Sequence, residues 1–127
     1  MRQLLAVLML GNAALFVFGA LQHAGVGFGP LREPVIIPAS IVELVCALTL
    51  IWGFVAVLTV SVKAWRAALI GNVIAMSGVA IGMVALAAGA GPRTASNDLY
   101  HRIMLALAAA SLVILFVPTG RAALKRH

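Results

Sequence analysis

Few side chains in this 127-residue chain can do chemistry, and Glu43 is the hardest to pass over. It stands inside the apolar run PVIIPASIVELVCALTLIWGFVAVLTVSV, residues 34–62. An ionised group near the middle of a bilayer costs roughly 2.5 to 3.5 kcal/mol on insertion scales, so such residues face a partner or a cavity. Candidate partners are His23, Asp98, His101 and Arg102, with Ser40 one turn before the acid on its own helix face. Together they point to a ligand site between helices for a proton or a small molecule. Two histidines on different helices at similar depth also suit bis-histidine haem ligation. With Glu43 they make up a two-histidine, one-carboxylate set, although no HxxH or HExxH spacing supports a metal. The plainer alternatives are an acid buried against Arg102 or a histidine, or lying only a turn below the membrane surface, and histidines that merely sit at the interface. No GxSxG elbow or Walker loop is present, and nothing in the pattern calls for a catalytic residue.

Such groups need rigid elements to hold them, and the composition says which. Hydrophobic residues make up 64% of the chain and charged residues 9%, against about 45 to 50% and about 25% in ordinary globular domains. The expected fold class is an all-α membrane protein, a single domain over residues 1–127 built as an antiparallel four-helix bundle. Predicted spans are 4–21, 35–62, 67–90 and 99–117. The first exceeds the 7 to 15 apolar residues of a secretory signal and lacks an A-x-A site, so it reads as an anchor. The glycine-rich GVGFGPLREP closes the first hairpin. Lys63, Trp65 and Arg66 are expected in the second connection, with Trp65 an interfacial anchor. In the third, Ser96 or Asn97 is expected to cap the fourth helix, with Asp98 in its first turn.

The net charge of +6 does not imply nucleic acid, because the basic residues lie between apolar runs and at the ends rather than on one face. Arg2, Lys63, Arg66, Arg121, Lys125 and Arg126 fall on one side; Arg32, Arg93 and Arg102 fall on the other. The positive-inside rule then puts both termini in the cytoplasm and the Glu43 cluster toward the outer leaflet. The basic tail serves as an orientation signal with affinity for anionic lipid headgroups.

Helical spacing aligns Asn12, Phe16, Gly19 and His23 on one face, and Asp98, His101, Leu105 and Ala108 on another, with Arg102 a quarter turn away. Gly71, Ala75, Gly78, Gly82, Ala85 and Gly89 form a seam of small residues for close helix contact, either within the bundle or with a partner helix. Asn12 and Asn72, each preceded by glycine, hint at two tandem hairpins and are expected to bond across helices. The single cysteine, Cys46, excludes an internal disulfide.

Four spans with both ends inside, and VIIPASIVELVCALTLIWG with its acid near the start and a glycine ten residues on, resemble the DoxX-like family of small bacterial membrane proteins. Where that family ends its first span in a glycine followed by a lysine, this chain has Phe18-Gly19-Ala20-Leu21-Gln22-His23. The resemblance implies a small inner-membrane subunit beside quinone-linked or thiol-redox enzymes, and it carries over only Glu43. The alanine- and glycine-rich composition fits a bacterial source. The expected function is thus an accessory subunit holding a quinone or lipid-like molecule. Haem binding through His23 and His101, or a purely structural role in a membrane complex or homo-oligomer, are the alternatives.

Overall fold

The structure, a computed structural model, describes residues 1–29, 33–91 and 93–124. Arg32, Lys125 and Arg126, counted above for orientation, lie outside the described residues. Four long helices carry the fold: α1 (Arg2–His23), α2 (Ile37–Leu58), α3 (Ala64–Ala87) and α4 (Ala95–Phe116), followed by one short helix, α5 (Pro118–Ala122). At 1.5 Å per residue the long ones run about 33 to 36 Å, enough for a hydrocarbon layer of about 30 Å. All four are long and apolar enough to cross a membrane.

Helix ends explain where the observed bounds depart from the expected ones. α1 and α3 each stop in a Schellman motif with a left-handed glycine after the cap, Gly25 (φ 97°) and Gly89 (φ 81°). Gly89 therefore terminates α3 instead of continuing the small-residue seam. α2 ends in the same hydrogen-bond pattern, with Val60 in the glycine's position at φ 48°. A β-branched side chain is strained there. α2 starts at Ile37 with Pro38 in its first turn, so the second span is shorter than 35–62. Trp65 and Arg66 belong to α3, and the connection before them is Thr59 to Lys63. Thr94, not Ser96 or Asn97, caps α4, its hydroxyl accepting from the Asn97 N–H at 3.1 Å. Pro118 stops α4 and opens α5.

The helices form a ring, α1 on α2, α2 on α3, α3 on α4 and α4 back on α1. Side-chain pairings run antiparallel: Ser40 lies against Ala20, Gly71 against Thr49, Gly82 against His101 and Asn12 against Met104. Leu5, Met9, Phe16, Leu50, Val57 and Leu115 fill the centre. Small residues set the α2–α3 spacing. A Cβ on Gly71 would lie 2.7 Å from the Thr49 carbonyl oxygen, and one on Gly53 2.9 Å from that of Ala67. One on Gly78 would lie 2.5 Å from Cys46 Sγ. This part of the seam thus closes the bundle itself. Asn12 donates across to the Met104 carbonyl at 3.3 Å, as expected, but Asn72 donates within its own helix to Ala68 at 2.9 Å. Outward faces carry exposed large apolar residues such as Val7, Leu48, Ile81 and Val113.

α5 folds back beside the start of α3. Trp65 donates its indole N–H to the Leu115 carbonyl at 2.9 Å, and the Arg121 guanidinium sits 4.7 Å above its ring.

Candidate functional site

Where α1 and α3 finish and α2 and α4 begin, the four helices leave a cavity of about 350 Å³. Its walls are mostly apolar, from Phe16, Val42, Val79, Leu86 and Met104, and its polar lining is His23, Glu43, Asn97 and His101. Its size falls at the lower end of the ~300 to 1,000 Å³ typical of small-molecule sites. Gly78 and Gly82 of the seam line it as well, so the same run of small residues seats α3 on α2 and then leaves space.

Glu43 is the most buried Asp, Glu, Lys or Arg among the described residues, 6% exposed, and three elements meet on it. Its Oε1 lies 3.2 Å from the Tyr100 hydroxyl of α4 and 3.9 Å from His23 Nε2 of α1. Tyr100 also reaches the Leu15 carbonyl at 2.8 Å. The hydroxyl has one proton to share between these two acceptors. His23 Nδ1 is likewise 3.2 Å from the Pro34 carbonyl, so that nitrogen donates. Its Nε2, 3.9 Å from Oε1, is beyond hydrogen-bond distance of the acid. Glu43 Oε2 is buried, with no hydrogen-bond partner among the described residues.

This arrangement depends on Gly19. A Cβ there would collide with the Tyr100 hydroxyl and lie 2.6 Å from Oε1 and 2.8 Å from Oε2. The glycine of the Asn12–Phe16–Gly19–His23 face thus supplies the room the acid and the phenol occupy.

His101 donates from Nδ1 to the Asn97 carbonyl one turn back at 2.8 Å, which in the neutral ring leaves Nε2 as an acceptor. That Nε2 lies 3.0 Å from where a Gly82 Cβ would stand. The two histidines thus present Nε2 to different neighbours, His23 to Glu43 and His101 to Gly82. Among the described residues no three His, Cys, Asp or Glu side chains converge as a metal site.

Three predicted members stand apart. Arg102 is exposed and is not an ion-pair partner of Glu43; Asp98 pairs with Arg93 at 2.9 Å. Ser40 donates to the Ala20 carbonyl at 2.7 Å, joining α2 to α1 instead of facing the cavity. The hydroxyls of Thr94 and Ser96 converge on Glu33, at 3.0 and 2.7 Å from its Oε1. That carboxylate clasps the segment leading into α2 to the first turn of α4, where the helix dipole favours it.

Tyr100 and Asn97 were missed in the sequence. Tyr100 lies about 100° from His101 on the helix wheel, and only its contact with α1 reveals its part. Gly19 could have been found, since it shares a face with His23. No protein-family model, curated protein or solved structure matches the chain.

Proposed function

We propose that this chain is a small multi-pass protein of the bacterial inner membrane, with both termini in the cytoplasm. In this reading it is an accessory subunit that binds a quinone or lipid-like apolar molecule near the outer leaflet. One observation carries the reading: a mostly apolar cavity whose few polar groups, Glu43, His23, Asn97 and His101, gather at one end of the bundle. Apolar walls with a few fixed polar groups are the usual make-up of a small-molecule site. Membrane insertion is supported by four helices of sufficient length and by large apolar residues left exposed on their outer faces. Arg2, Lys63, Arg66 and Arg121 at one end of the bundle support the orientation. The resemblance to the DoxX-like family adds a setting, beside quinone-linked or thiol-redox enzymes.

The test is solvent extraction of the purified protein followed by mass spectrometry. An apolar molecule is expected with the natural chain and is lost in Glu43→Ala or His101→Ala. No bound molecule, together with unchanged thermal stability in both variants, defeats the reading.

A further inference from the structure

We propose that the cavity selects apolar molecules bearing a hydroxyl, a phenol or an alcohol, over equally apolar molecules without a hydrogen-bond donor. This deepens the ligand-binding reading above and rests on it. Free protons are scarce at the polar wall. The one Tyr100 proton is engaged by the Leu15 carbonyl and Glu43 Oε1, and His23 Nδ1–H is spent on Pro34. His23 Nε2, 3.9 Å from Glu43 Oε1 and so not hydrogen-bonded to it, is a further acceptor in the neutral ring. With it remain Glu43 Oε2, buried and unpartnered, and His101 Nε2, whose ring is fixed by its Nδ1 bond to Asn97. Both are acceptors. The Asn97 amide adds one acceptor and one donor group, so acceptors predominate.

Leaving a buried acceptor unmade is costly, whereas a ligand that supplies the missing donor recovers that cost. A site built this way discriminates against an analogue lacking the hydroxyl far more than against one lacking a methylene. Gly82 is part of the device. A side chain there would stand 3.0 Å from His101 Nε2 and cover the acceptor.

The experiment titrates 4-pentylphenol and its methyl ether, 4-pentylanisole, into the full chain in lipid nanodiscs by calorimetry. Titrations into empty nanodiscs are subtracted to remove partitioning. Binding of the phenol at least tenfold tighter than the ether, with a shifted His101 Nε2 nitrogen resonance, is the expected result. In His101→Phe and in Gly82→Ala the preference falls below threefold. Gly82→Ala leaves every hydrogen-bonding group in place and serves if His101→Phe does not fold. Equal affinity for phenol and ether overturns the donor preference while leaving the ligand-binding reading standing. Failure of both molecules to bind overturns the two together. A tenfold preference that survives in both variants overturns the assignment to His101.

Discussion

At the scale of single residues, the acid is held by groups that were themselves fixed by backbone carbonyls. Tyr100 and His23 are each anchored on the chain they pack against, by Leu15 and Pro34, and only then meet Glu43. The pocket for this contact is made by absence of a side chain at Gly19. Gly19→Ala is therefore expected to destabilise the fold by about 1 to 3 kcal/mol, the range for overpacking. Adding Tyr100→Phe removes the oxygen that collides, so the double variant recovers part of the loss. Thermal unfolding in detergent, followed by circular dichroism, reads both. The two buried asparagines separate in the same assay. Asn12 joins α1 to α4, and Asn12→Leu is expected to cost about 0.6 kcal/mol, the average for such contacts. Both leave a buried oxygen unpartnered among the described residues, but Asn72 donates only within α3, so Asn72→Leu is neutral or stabilising.

At the scale of elements, the helix ends and the small-residue seam decide the geometry. Three helices stop in one hydrogen-bond pattern, and only α2 does so with a residue ill suited to it, Val60. Val60→Gly relieves the left-handed strain and is expected to raise the unfolding temperature, by an amount corresponding to about 1 kcal/mol. Glycines inside helices divide by what surrounds them. A Cβ at Gly11 meets nothing within 4 Å, so Gly11→Ala gains the usual 0.5 to 1 kcal/mol or about that, whereas Gly71→Ala drives a methyl into the Thr49 backbone and loses stability.

The same contrast explains how much was legible in the chain alone. The four helices were, because apolar length is a local property and each run is bounded by glycine, proline or charge. Glu43 and His23 were also legible as a shared depth on neighbouring helices. The loss of Arg102 and Asp98 from the cluster was not, since a quarter turn of helix and a local partner, Arg93, divert them. Nor was Tyr100, whose role lies in a contact across 85 residues. Val60 gave no signal, as the motif it occupies ordinarily announces itself by glycine.

At the scale of the whole molecule, the cavity and its polar lining lie at one end of the ring, and at the other Trp65 bonds to Leu115 beneath the Arg121 guanidinium. With the proposed orientation, green fluorescent protein fused after His127 is expected to fluoresce, and alkaline phosphatase fused at the same place to be inactive. The reverse pattern would invert the topology and put the cavity toward the cytoplasm.

The Glu33 clasp bears on time as well as on form. It joins the segment before α2 to the first turn of α4, and residues beside both joined points, Ile36 and Asn97, line the cavity. Glu33 itself does not line the cavity, so with a ligand bound as proposed, weakening the clasp is expected to lower the barrier to exchange without altering what the polar wall recognises. Glu33→Gln is thus expected to speed uptake and release of a bound phenol together, shortening its residence while the equilibrium constant holds. In the proposed reading the polar wall of the interior sets which molecule stays, and the acid at the rim sets how long.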